Sequence, residues 1–339
     1  MNVTVLYFGG EEISVTRASE GVNGTYVIHG RGIRHYSGII NGEFVSPDEL
    51  GEKIRACVQE AGSRLGDRIY VGVPSCFYTT VVYEVIRNFP KPIKLTEKHI
   101  EQLVAMPANY IPPAGYSVIQ RRAVYYKVDD GRATVDIRGV SGKTVNAQIS
   151  VFAVTDTFIR TVSESLYGSK FKKVVFLPVT LAEALYLIDL EVRDATCVLL
   201  SCGISTTSVS VICGDSLVAH TSVDIGFAHC VNDVSVTMKV GYSAAKDYVM
   251  NPNDKIKDIT MARLEEIAEH IFADINALDK KLYKKPFYIC GGYIDTLPNS
   301  VDLLSAALDV KIEQCPCPFT EENTPAVSRD AVIRLALRY

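Results

Sequence analysis

"VLLSCGISTTSVSVICGDSLVAHTSVDIG", residues 198–226, reads as three short strands joined by glycine turns. Val198, Leu199 and Leu200 run apolar into Gly203, Thr206 and Thr207, Val209 and Val211 alternate up to the turn Gly214-Asp215, and a third strand ends at Ile225-Gly226. Turns of this kind let backbone N–H groups approach a phosphate, and threonine hydroxyls add donors. One such hairpin says little, because glycine in a β-turn is ordinary turn chemistry. Its companions decide the reading. Val3-Thr4-Val5-Leu6-Tyr7 alternates into Gly9-Gly10 and Ile13 to Val15 alternates out, while Phe287-Tyr288-Ile289-Cys290 ends in Gly291-Gly292.

Between these markers the pattern is mixed. Tyr26-Val27-Ile28 and Ser37-Gly38-Ile39 continue the first sheet. Ser46-Pro47-Asp48-Glu49 opens a helix, with serine as N-cap, proline at the first helical position and acids in the first turn. Its buried stripe is Leu50, Ile54, Cys57, Val58 and Ala61, and Arg68–Val73 follows as a strand. Pro90-Lys91-Pro92 punctuates the chain before a helix capped at Thr96. Strands are expected near Tyr116–Tyr126, Val128–Gly131 and Asn146–Thr155, then a helix from about Asp156 to Tyr167 and a strand Lys173–Leu177. A helix from Thr180 has the stripe Leu181, Ala184, Leu185, Leu187 and Ile188. A long helical stretch covers Met261–Leu282, with Leu264, Ile267, Ala268, Ile271 and Ile275 on its apolar face.

At 339 residues, with 47% hydrophobic and 22% charged residues, the chain is long enough for two domains and a sizeable core. The net charge of −4, without a basic block, argues against nucleic acid as a partner. The stretch MNVTVLYFGGEEISV, with acidic charges and a short apolar run, does not read as a signal peptide, and no apolar run approaches the length of a spanning helix. Nine cysteines, mostly in apolar strands (Cys197, Cys202, Cys213, Cys290), read as small hydrophobes in a reducing cytosol. Cys315-Pro316-Cys317 supplies half of a zinc site at most, and the six histidines form no ligand pattern.

The order Gly9-Gly10, then Gly203 with Thr206-Thr207, then Gly291-Gly292 reproduces the phosphate-1, phosphate-2 and adenosine elements of the actin-like ATPase superfamily. Within it the chain resembles the bacterial cell-division family FtsA over nearly its whole length. The segment 95–162, with its helix, its loop Asp136-Ile137-Arg138-Gly139-Val140 and the strand Val145–Val154, resembles the SHS2-type interaction subdomain of that family. Lys246 stands where the family has a lysine. The resemblance implies an α/β, actin-like (ribonuclease H-like) two-lobe fold with an SHS2-type insert. The first lobe would comprise 1–87, 166–195 and 326–339, and the insert 88–165; the second lobe would comprise 196–225 and 285–325, with a helical subdomain at 226–284. The nucleotide-binding positions it implies, vestigial if used at all, are Gly9, Gly10, Gly203, Thr206, Thr207, Lys246, Gly291 and Gly292.

The departures concern the chemistry. The family carries a carboxylate at the positions of Tyr7, Ser201 and Ser243, and Ile204 puts a branched side chain where backbone would approach phosphate. Hard cations need oxygen ligands, usually a carboxylate among them, and phosphoryl transfer depends on that metal and on a positioned water. We therefore expect no catalytic residue, no metal and no cofactor; an active Mg²⁺-ATP enzyme is the alternative. The expected role is a scaffold or adaptor acting through protein–protein contacts. The resemblance implies FtsZ or another division protein as partner, self-association into filaments, and a cytoplasmic location at the division site. The chain stops at 331–339, a segment expected to pack on the first half, so contact with a membrane is expected to be indirect. A pilus-assembly adaptor related to PilM, a family with the same type of insert, is the third reading.

Overall fold

The computed structural model describes residues 2–22, 25–40, 42–62, 68–169, 171–315 and 326–339. Pro316 and Cys317 of the cysteine pair noted above lie outside them. The chain opens with β1 (Asn2–Phe8), β2 (Glu12–Glu20) and β3 (Tyr26–His35), an antiparallel meander. β4 (Ile39–Ile40) and β5 (Glu43–Phe44) pair only with each other, so Ile39 belongs to a separate two-stranded ribbon and not to the first sheet. Helix α1 (Pro47–Ala61) follows, with proline at its start and Asp48 and Glu49 in its first turn. β6 (Arg68–Val73) then pairs parallel with β1.

A three-stranded antiparallel sheet comes next, built from β7 (Tyr78–Lys94), β8 (Tyr116–Val128) and β9 (Ser141–Thr155) in the order β7-β9-β8, with α2 (Glu97–Ala105) inserted after β7. β7 runs straight through the Pro90-Lys91-Pro92 segment. Proline donates no ladder hydrogen bond, but β7 is an edge strand and its pairing jumps from Asn88 to Ile93, so both prolines sit in a bulge. Val128–Gly131 is not a strand: β8 ends at Val128, and Asp129 turns the chain at φ +48°. This sheet has its own small core of Phe89, Leu95, Leu103, Tyr126, Ile137, Val145, Ala147 and Ile149.

The chain returns with α3 (Asp156–Ser165), whose Phe158 and Val162 enter the first-lobe core, and β10 (Lys173–Pro178), parallel to β6. The sheet order is β3-β2-β1-β6-β10. Helix α4 (Val179–Leu187) is buried on nearly every side, and the short α5 (Leu190–Asp194) leads into the second lobe. There β11 (Cys197–Cys202), β12 (Thr207–Cys213) and β13 (Ser216–Val223) form the meander read from the opening stretch. Three helices follow: α6 (Phe227–Met238), α7 (Tyr242–Met250) and α8 (Asp254–Leu278). Asn253 caps α8 through Ile256 N–H at 3.0 Å, which starts this helix seven positions before the expected Met261. β14 (Phe287–Cys290), α9 (Ser300–Leu308) and β15 (Ile312–Gln314) complete the sheet in the order β13-β12-β11-β14-β15. Both lobes thus share one topology: an antiparallel meander followed by two parallel strands.

Helix α10 (Ala326–Ala336) returns to the first lobe, where Ala331, Val332, Ile333, Leu335 and Ala336 are buried in the first core. The insert sheet is fastened to the second lobe at the turn Gly214-Asp215. Gly214 (φ +55°) lies so close to β8 that a Cβ there would stand 2.2 Å from the Val124 carbonyl oxygen, so only glycine fits. Asp215 N–H donates to that carbonyl at 3.0 Å, and Arg122 donates to the Asp215 carboxylate at 2.5 Å. No helix among the described residues is long and apolar enough to cross a membrane.

Candidate functional site

The first hairpin turn, between β1 and β2, faces the second, between β11 and β12. Gly9, Gly10, Gly203, Thr206 and Gly291 are brought together around one cavity of about 90 Å³. Lys246 does not line it, nor does Thr207. Ile204 stands directly against Gly10: a Cβ on Gly10 would lie 2.3 Å from the Ile204 Cβ. The two turns therefore touch through an apolar side chain.

The donors are engaged inside the chain. Gly9 N–H donates to Glu12 O at 2.8 Å and Gly203 N–H to Thr206 O at 2.9 Å. The Tyr293 phenol lies near the Gly10 N–H. Thr207 Oγ1 donates to Ile225 O at 2.8 Å, and Thr206 Oγ1 shares a hydrogen with Ser75 Oγ at 3.3 Å. The start of α6, where free N–H groups would favour an anion, is docked on the second turn: Phe227 N–H donates to Gly203 O at 3.1 Å and Ala228 N–H to Ile204 O at 2.7 Å. Lys246 on α7 pairs with Glu11 of the first turn, half-buried on both sides, and burial, then the Glu11 charge, raises the Tyr242 phenol. Gly291 (φ +133°) passes so close to Cys202 that a Cβ would stand 2.2 Å from its carbonyl oxygen, and just beyond Gly292 the Tyr293 N–H donates to the Asp295 carboxylate at 2.9 Å.

Two residues that the sequence did not single out, Glu183 and His220, complete the site. Glu183 on α4 is 1% exposed, lines the cavity and accepts from Ser328 Oγ at 2.5 Å. Burial pushes its carboxyl up to about 7, against the opposing effect of Ser328, Ser201 and Cys290 beside it. Burial, then the Glu183 charge, also raises the Tyr7 phenol, so Tyr7 is a neutral side chain. His220 on β13 stacks on Tyr78 at 4.2 Å and binds the Ser75 carbonyl at 3.0 Å through Nε2. A carbonyl only accepts, so Nε2 carries the hydrogen and Nδ1 accepts from Ser210 Oγ at 2.8 Å. Burial pushes His220 down to about 4.

Set against a magnesium nucleotide, these residues do not fit. Pockets that enclose small molecules run to roughly 300–1,000 Å³, several times this cavity. Among the described residues Glu183 is the only carboxylate in its lining, whereas Tyr7, Ser201 and Ser243 offer none. Among the described residues no group of three or more His, Cys, Asp and Glu side chains could hold a metal ion.

No family model and no curated protein sequence matches the chain. Solved structures do. The PilM-PilN type IV pilus biogenesis complex matches with a TM-score of 0.69 at 19% identity, over 100% of this chain and 98% of that one. The chain has an actin-like fold. Ethanolamine utilization protein EutJ from Carboxydothermus hydrogenoformans follows at a TM-score of 0.58 and 13% identity, over 99% of this actin-like chain and 90% of its own. MreB 5 of Spiroplasma citri, solved with AMPPNP bound, also reaches 0.58, at 10% identity over 98% and 95%. At these identities the likeness carries the actin-like architecture and nothing finer.

Proposed function

We propose that this actin-like chain is an adaptor that works through protein–protein contacts and does not turn over ATP. One observation carries the reading: the groups expected to hold phosphate are spent on contacts that close the cleft from within. Ile204 against Gly10, Lys246 with Glu11 and Thr206 with Ser75 join the lobes where a nucleotide would otherwise join them. A pilus-assembly adaptor is favoured over a division factor by the likeness to a chain solved in complex with PilN. The insert's resemblance to the FtsA interaction subdomain supports the division reading, with FtsZ as partner and filaments as the working form. On either reading the protein acts in the cytosol and meets the membrane through its partner.

The test measures Mg²⁺-ATP binding and turnover together with titrations of a PilN-type partner and an FtsZ tail. We expect no turnover, no micromolar nucleotide binding, and saturable binding of the PilN-type partner. Turnover by the unmodified protein sinks the non-catalytic claim. Binding of the FtsZ tail alone moves the assignment to the division reading, and failure of both partners removes the adaptor assignment. Ser201→Asp is not a route back to a metal site, because it sets a second acid beside the buried Glu183.

A further inference from the structure

Glu183 joins α4 of the first lobe to Ser201 and Cys290 of the second, and its two oxygens are treated differently. Oε1 takes the Ser328 hydrogen bond, whereas Oε2 is buried without a directed hydrogen bond. Ser201 and Cys290 stand near enough to favour the charged form without completing one. Thr180 Oγ1 faces the Tyr78 phenol and is likewise buried without a directed partner. Thr180 and Glu183 line the same cavity as Tyr7, Ser201 and Ser328. No Lys, Arg or His does so among the described residues. Arg329, whose charge reaches Tyr7, lies 3.7 Å from Asp330 and is not part of the lining.

From this arrangement we infer that the cavity binds one small monovalent cation (ammonium, potassium or sodium), held by the Glu183 carboxylate and the hydroxyl oxygens of Thr180, Ser201 and Tyr7. A buried carboxylate needs either a proton or an opposite charge. An oxygen donor set suits hard cations. The lining holds one carboxylate, which balances one positive charge and sets the valence; Asp295, whose charge bears on Glu183, lies outside the lining, where its carboxylate accepts from Tyr293 N–H at 2.9 Å. Space points the same way: a water occupies about 30 Å³, so about 90 Å³ takes an ion with one or two waters. Mg²⁺, which keeps several waters in near-octahedral array, is poorly matched by a single carboxylate. The bound ion would neutralise the base of the closed cleft and hold α4 against β11. The inference is independent of the adaptor reading, since it needs no partner.

The experiment compares thermal midpoints of the unmodified protein at pH 8 in choline, sodium, potassium and ammonium chlorides at matched ionic strength. At least one of the three cations is expected to raise the midpoint by about 2 °C or more over choline. Glu183→Gln is expected to lose that difference. At pH 5, where Glu183 holds its own proton, the difference is expected to disappear in the unmodified protein too; this arm stands even if the variant does not fold. Thallous ion, a spin-active stand-in for potassium, is expected to give a shifted bound resonance that Glu183→Gln removes. Equal midpoints in all four salts overturn the proposal, as does a cation effect undiminished at pH 5 or in Glu183→Gln.

Discussion

Phe158→Ala is expected to remove about 4 kcal/mol of stability, the usual cost of deleting a fully buried phenylalanine. Its ring is completely buried and meets Phe77 at 4.7 Å, Phe8 at 5.6 Å, Phe44 at 5.7 Å and Phe176 at 6.1 Å between centroids. These rings come from five separate segments: α3, the turn after β6, and strands β1, β5 and β10. No single neighbour can move in to fill the hole without breaking another contact, so the cavity term adds to the transfer term. Phe8 immediately precedes Gly9, and Phe77 follows the Ser75 carbonyl that holds His220. The substitution therefore loosens the first turn of the cleft as well as the core. Urea unfolding with an unchanged slope and a lowered midpoint is the expected signature, and Phe158→Leu, which keeps most of the volume, is expected to cost well under half as much. A loss under about 1 kcal/mol for the alanine variant would mean the cluster does not hold the lobe together.

The second large effect is a dependence on pH. Raising the Glu183 carboxyl from 4.5 to about 7 means that the folded protein binds its proton more tightly than the unfolded chain. Stability from this group is complete below about pH 4.5 and is lost as pH rises through about 7, a change of about 3 kcal/mol. His220, lowered from 6.5 to about 4, has the opposite sense: its contribution is complete above about pH 6.5 and is lost as pH falls through about 4, again about 3 kcal/mol. Between roughly pH 4.5 and 6.5 the two slopes oppose, so the unmodified protein should show a flat stability profile there. Glu183→Gln, measured in choline chloride so that no small cation compensates, should be more stable than the parent by about 3 kcal/mol at pH 8 and no more stable at pH 4.5. Its profile should climb from pH 4 to 6.5 and then level. A variant less stable than its parent at pH 8 would show that the carboxylate is fully compensated by its neighbours.

Much of the fold was legible because its signals are local. The meanders alternate with period 2, α1 announces itself by Ser46-Pro47, and the glycine order places the two turns and the strand end correctly along the chain. The site was less legible because its contacts are distant. Lys246 and Glu11 lie 235 positions apart, and nothing in either neighbourhood marks the pairing. Glu183 did leave a trace. Val179–Leu187 has one charged residue in nine, VTLAEALYL, and a helix apolar all round is buried all round. A search for one amphipathic stripe assigns the lone acid to solvent; asking instead how few polar residues the helix has would have placed it inside. Asn253-Asp254 is likewise a readable helix start, masked by an apolar stripe that becomes regular only from Leu264 on.

The fastening at Gly214-Asp215 has a mechanical consequence. Arg122 on β8 and Arg193 on α5 both pair with the Asp215 carboxylate, at 2.5 and 3.2 Å, and Ser150 on β9 donates to Leu217 O at 2.6 Å. The insert sheet is thus riveted to the second lobe as well as joined by chain to the first. Tension applied at its far end, near Phe89 or Lys143, runs along β7 and β9, across whose length the inter-strand hydrogen bonds lie perpendicular. Such a ladder is loaded in shear, with many rungs sharing the force, instead of being unzipped one rung at a time. A tethered partner pulling on the insert would move the whole body like a handle on a casing, and the first joints to yield would be the Asp215 rivets.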